Sequence, residues 1–197
     1  MNDTLTKLGV PLDIQALFNV QQPFFDYGDA VEIIALNYHF VPASHNIWVA
    51  GNGAAVEVLI ARSAMDCIAF LALSTLKYRQ LEKLCFLALG NRPSTAQLNW
   101  IRENYGKRKF TLLFEADLMG RATDIFVAVG LKAKRVKLEW TGQQVKVIYN
   151  GHSVLFDGEQ LTLNAFEQAF STRTAVRTRK PLQQANYFNQ LKYDSTR

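Results

Sequence analysis

The sequence predicts an α/β fold: a small, mostly parallel four-stranded sheet flanked by helices, with a β element before it and a hairpin plus helix after it. Three observations predict this. Between Val56 and Trp140, short apolar runs alternate with stretches of helical periodicity, and such β–α–β–α units demand a parallel sheet with helices on its faces. The helical stretches open on capping signals, Ser63 with Asp66 and Ser94 with Gln97. The flanking stretches lack the alternation and carry Asn-Gly turn signals instead.

Each element follows from local chemistry. Asp13 to Val20 suits a short helix that Gln21-Gln22-Pro23 breaks. Asp29 to Phe40 and Asn46 to Ala50 suit strands, and Gly51-Asn52-Gly53 suits a hairpin turn into the strand Val56–Ala61. A helix follows from Ser63 through Ile68, Phe70, Leu71 and Leu73 toward Tyr78. Leu84–Leu89 is the second strand, closed by Gly90, and the helix after Ser94 places Leu98, Ile101 and Tyr105 on one face. Arg108–Phe114 is the third strand. Leu118, Ala122, Ile125 and Val129 then share a helical stripe that Gly130 stops, and Arg135–Trp140 is the fourth strand. Val145–Tyr149 and Ser153–Phe156 form a hairpin around Asn150-Gly151, and Asn164 opens a last helix. The chain thus divides into an N-terminal extension with β-strands (1–55), the α/β domain (56–140), a hairpin and helix (141–170) and a basic tail (171–197).

A chain of 197 residues can bury a real core without disulfides. Cys67 and Cys85 both lie in apolar stretches, which points to small core residues and a reducing, cytoplasmic setting. The N-terminus lacks the apolar core of a signal peptide, and no run approaches a membrane span. No membrane partner is expected. The net charge of +5 is uneven. Residues 171–197 hold Arg173, Arg177, Arg179, Lys180, Lys192 and Arg197 against Asp194, so the preceding chain is neutral. Such a tail suits a phosphate-bearing partner, through release of counterions, or a solubilising terminus. Its Tyr187, Phe188 and Tyr193 could stack bases or dock on the body.

Two acids, Glu115 and Asp117, stand at the end of the third strand and just before a helix. Ligands of α/β sheets sit at that end, and paired carboxylates there are a common seat for Mg²⁺. They equally suit a plain helix cap, with the carboxylates stabilised by the helix dipole. Asp66 suits a capping box. Arg121 suits a phosphate clamp or a solvated helix position. Gly51-Asn52-Gly53 precedes a strand and lacks a third glycine, which favours a turn over a dinucleotide fingerprint. His39, His45 and His152 show no zinc-ligand spacing, and neither cysteine has an evident histidine partner.

The order of these pieces over residues 56–140 resembles the Toprim domain of bacterial-type primases, mobile-element primases, topoisomerases and related nucleases. Asp66 matches that family's helix acid, Leu87-Ala88-Leu89-Gly90 its second strand, and Glu115-Ala116-Asp117-Leu118-Met119-Gly120-Arg121 its last motif. The resemblance implies carboxylates that bind Mg²⁺ and a first glutamate acting as general acid or base. This chain departs where it matters, because Arg62-Ser63 replaces the Glu-Gly pair and Glu115 replaces an aspartate. An arginine neither gives up its proton nor ligates a metal. The expectation is a degenerate site in which Arg62 pairs with Glu115 and Asp117, with Arg62 and Asp66 at the former catalytic positions and Glu115 and Asp117 at the metal positions. The resemblance then implies a catalytically degenerate nucleic-acid-binding protein, contacting DNA in preference to RNA through Arg121, Arg173, Arg177, Arg179 and Lys180. It would be accessory to DNA replication, repair or mobile-element transfer, with no cofactor and with possible protein partners in such a complex. The alternative is an active Mg²⁺-dependent nucleotidyltransferase or nuclease using Glu115 and Asp117. A third class is a non-enzymatic protein-interaction domain.

Overall fold

The computed structural model describes residues 2–35, 37–51, 53–78 and 80–196. The chain opens with two short helices, α1 (Asp3–Lys7) and α2 (Leu12–Leu17). The first was not legible from apolar spacing. It is set by Asn2, whose side chain accepts from the Thr4 and Leu5 amides. Three strands follow, β1 (Phe24–Asp26), β2 (Val31–Ala35) and β3 (Tyr38–Phe40), paired antiparallel in that order.

The body then alternates as expected: β4 (Trp48–Gly51), β5 (Glu57–Ala61), α3 (Ala64–Ser74), β6 (Leu84–Ala88), α4 (Thr95–Tyr105), β7 (Lys109–Leu112) and α5 (Leu118–Gly130). Next come β8 (Val136–Thr141), β9 (Gln144–Tyr149), β10 (His152–Asp157), α6 (Leu163–Ala169), β11 (Val176–Thr178) and α7 (Tyr187–Ser195). The central sheet has five strands in the order β11-β7-β5-β6-β4. All its pairings are parallel except that of β4 with β6.

Two expectations are corrected, and one left open is settled in favour of docking. The stretch Arg135–Trp140 is not the fourth parallel strand. It forms β8 of a separate antiparallel sheet with β9 and β10. Its sequence alternates Val136 and Leu138 against Lys137 and Glu139, which suits one wet face, whereas an interior parallel strand is buried on both. The strand ending at Gly51 does not hairpin onto β5. It pairs antiparallel with β6 at the far edge, and Asn52 of the expected turn lies outside the described residues. The basic tail is built into the fold, because β11 extends the sheet beside β7 and α7 packs against α3. The hairpin at Asn150-Gly151 matches expectation. Both residues have positive φ, 49° and 79°, as a two-residue turn between right-twisted strands requires.

Strand alternation sorts the core into two layers. Val58, Ile60, Cys85 and Leu87 face α4, α5 and the β8–β10 sheet. Leu59, Ala61, Phe86 and Ala88 face α3, α7 and the N-terminal elements. Leu59, Ile60, Phe86 and Leu87 are among the largest fully buried side chains, each stabilising the fold by about 1.5–3 kcal/mol relative to exposure. Leu191, Tyr187 and Phe188 of α7 belong to the second layer, which anchors the C-terminal segment.

Candidate functional site at the carboxyl ends of the parallel strands

The strands β5 and β7 lie side by side, so the residues after them share one end of the sheet. Arg62 and Glu115 meet there, with Nε 2.6 Å from Oε1. The contact is a charge pair without hydrogen-bond alignment, since neither atom makes a hydrogen bond. At this separation the attraction is about 6 kcal/mol at an effective dielectric of about 20. Desolvating each ion costs several kcal/mol. Burial prevails in Glu115. It raises the carboxyl's pKa, which Arg62 pulls partly back down and Asp66 raises further. A second weak tie runs from Arg62 Nη1 to Asn91 Oδ1 at 3.4 Å.

Asp117 does not join the pair as expected. It is the N-cap of α5, and its Oδ1 accepts from the Gly120 amide at 2.8 Å. The glycine of the Glu115–Arg121 motif has a steric cause, because a Cβ at Gly120 would collide with the Glu115 carbonyl oxygen. Arg121 turns inward along the same loop. It donates to the carbonyls of Ala116 (3.1 Å) and Gly158 (2.8 Å), tying α5 to the end of the β8–β10 sheet.

Asp66 is buried under α7. Its Oδ2 accepts from the Ser63 hydroxyl at 2.6 Å, and its Oδ1 accepts from the Phe188 amide at 3.1 Å. The Ser63 hydroxyl in turn accepts from the Asp66 amide at 2.9 Å, closing the cap of α3. Burial pushes the Asp66 carboxyl up, against the pull of Ser63, the Phe188 amide and Arg62.

Two acids that the sequence reading missed complete the region. Glu32, fully buried on β2, accepts from the Tyr27 hydroxyl (2.8 Å) and contacts His39 Nε2 (2.9 Å). It also accepts from the Ala64 and Met65 amides, at 2.8 and 3.0 Å, and so caps α3 from another element. Asp124, 2% exposed on α5, pairs with Lys180 at 2.6 Å. Burial lifts its pKa to about 6, against the opposing pull of Lys180. The Lys180 ammonium also donates to the carbonyls of Phe114 (2.9 Å) and Glu115 (2.8 Å). An ammonium has three donors, and Lys180 directs all of them inward.

The remaining basic residues stand apart. Arg173 is exposed and 3.4 Å from Glu167. Arg177 and Arg179 are exposed on and just beyond β11. Strand parity carries a signal for Glu32, which shares the inward face of β2 with Ile34. That signal is masked because the outward residues Val31, Ile33 and Ala35 are apolar too. Nothing local announces Asp124 and Lys180, which are far apart in the sequence.

As placed, these residues do not offer Mg²⁺ a seat. Arg62 covers Glu115, Asp117 caps a helix, and among the described residues no three acids, histidines or cysteines converge as metal ligands. Among the described residues no helix is long and apolar enough to cross a membrane. Comparison with models of protein families, with curated proteins and with solved structures found no match for this chain.

Proposed function

We propose that the chain is a catalytically silent, Toprim-like module that binds nucleic acid, DNA in preference to RNA, as an accessory to DNA replication, repair or mobile-element transfer. The observation that carries the silent part is the 2.6 Å contact between Arg62 and Glu115. It sets a fixed positive charge where the resemblance implies a divalent ion, and an arginine supplies neither a ligand atom nor a transferable proton. Arg173, Arg177 and Arg179 support the nucleic-acid part, as guanidinia that reach solvent beside one edge of the sheet. Lys180 and Arg121 support the scaffold instead, since their nitrogens meet main-chain carbonyls.

The test is binding of fluorescent single- and double-stranded DNA across a salt series. Replacing Arg173, Arg177 and Arg179 by alanine weakens binding and flattens its salt dependence. Failure of the unaltered protein to bind at low salt overturns the nucleic-acid reading. Mg²⁺-dependent cleavage or primer synthesis overturns the silent one.

A protein-contact role has one observation in its favour. Ile33 pairs with Phe24 on one side and Phe40 on the other, forming a row across β1, β2 and β3, and each is more than two-fifths exposed (43, 46 and 45% for Phe24, Ile33 and Phe40). An apolar row of this kind on a sheet's outer face is a common mark of a covered surface. Sedimentation of the protein and of Ile33→Asp measures whether that face self-associates.

A further inference from the structure

A cleft of about 450 Å³ opens between the end of α3, α7 and β11, with Glu57 and Thr111 of the central sheet in its floor. Its volume falls within the roughly 300–1,000 Å³ of small-molecule sites. Sheet register explains what lines it. Arg177 pairs with Thr111, and Thr111 with Leu59. Leu59 faces the α3 and α7 layer, so Arg177 and, two residues on, Arg179 face that layer too. Val176 faces the opposite layer.

Lys77, Arg177 and Arg179 line this cleft, and none makes a side-chain hydrogen bond or ion pair among the described residues. The two acids on its wall are engaged with neutral donors. Glu57 accepts from the Thr111 hydroxyl at 2.6 Å, and Asp194 accepts from the Gln190 amide nitrogen at 3.0 Å. Tyr78 brings a half-buried ring, held edge-on by Phe70 at 5.5 Å, and Phe70 in turn meets Tyr187 at 5.0 Å. Burial and Glu57 raise the Tyr78 phenol's pKa, and Arg179 and Arg177 pull it down.

We propose that this cleft binds a nucleotide unit, with Arg177 and Arg179 on the phosphate and Tyr78 against the base. A guanidinium fork matches phosphate oxygens in pairs, and an aromatic face accepts any base. Lys77 adds charge at the rim. The proposal rests on the nucleic-acid reading for one source of the nucleotide, a single strand. A free nucleotide offers the same chemistry.

Calorimetric titration of the full chain with short oligothymidylate and with thymidine monophosphate tests it. The variants are Arg177→Ala/Arg179→Ala, Tyr78→Ala and Tyr78→Phe. The double variant should make the log–log salt slope for the oligonucleotide shallower by roughly 1.4. Tyr78→Ala should weaken binding by at least about fivefold. Tyr78→Phe keeps the ring and should retain binding, which separates stacking from a role of the hydroxyl, and an unchanged urea midpoint of Tyr78→Ala excludes a folding defect. Oligonucleotide binding that the double variant leaves unchanged overturns the cleft and spares the nucleic-acid reading. The arginines would then only guard an edge strand. Monophosphate binding lost in the double variant, with no oligonucleotide binding, supports the cleft and overturns the nucleic-acid reading. Binding of neither probe overturns both.

Discussion

Lys180 and Arg179 are adjacent in the sequence and opposite in use. The Lys180 ammonium reaches a buried carboxylate and two carbonyls at the carboxyl end of β7. Arg179, on the cleft that Lys180 also borders, is exposed and has no such partners among the described residues. The same contrast divides Arg62, locked on Glu115, from Arg177. Net charge alone does not distinguish these roles. A cation surrounded by the chain's own acceptors holds the fold, and one facing a cleft without them is available to a ligand.

The contrast breaks if interior polar groups prove dispensable, so the largest expected effects lie there. Glu32→Ala removes the acceptor of the Tyr27 hydroxyl and of the Ala64 and Met65 amides, and the partner of His39. Buried donors left unpaired cost about 1–3 kcal/mol each, so a loss of about 5 kcal/mol is expected in urea denaturation. Lys180→Met leaves Asp124 buried without its cation and should cost about 4 kcal/mol. Adding Asp124→Leu should recover at least half of that, since most of the cost is the stranded charge.

The buried acids also make stability depend on pH. The folded protein holds the Asp124 proton up to about pH 6, while the unfolded chain releases it near 3.8. The stability from this group is therefore complete below about pH 4 and lost as pH rises through 6, a decline of about 3 kcal/mol. Asp66 and Glu115 shift in the same direction. Denaturation at pH 4.5 and 7 should show a smaller decline in Asp124→Asn than in the unaltered protein. The smallest effect belongs to the exposed pair. Arg177→Ala/Arg179→Ala should change stability by no more than about 0.5 kcal/mol.

The alternation of β5, α3, β6, α4, β7 and α5 was legible because each element carries its own period and cap. Ser94 with Gln97 forms the capping box its spacing suggests. The meeting of Arg62 with Glu115 followed from placing both after adjacent strands. What was not legible depends on distant pairing. β8 and the three-residue β11 are partly exposed strands, and pairing with distant strands settles which sheet takes them. Lys180 reads as one more charge in a basic segment until the turn after β11 lays it over the Phe114 carbonyl. Asp117 could have been a metal ligand or a cap on sequence grounds, and its own helix claims it.

In the silent reading proposed above, Arg62 stands on Glu115 where the resemblance implies a divalent ion. Calorimetric titration of Mg²⁺ and Mn²⁺ into the unaltered protein decides this, with Arg62→Glu alongside. The unaltered protein should show no micromolar binding, and Arg62→Glu should gain affinity. Micromolar binding by the unaltered protein that Glu115→Gln or Asp117→Asn abolishes would contradict it.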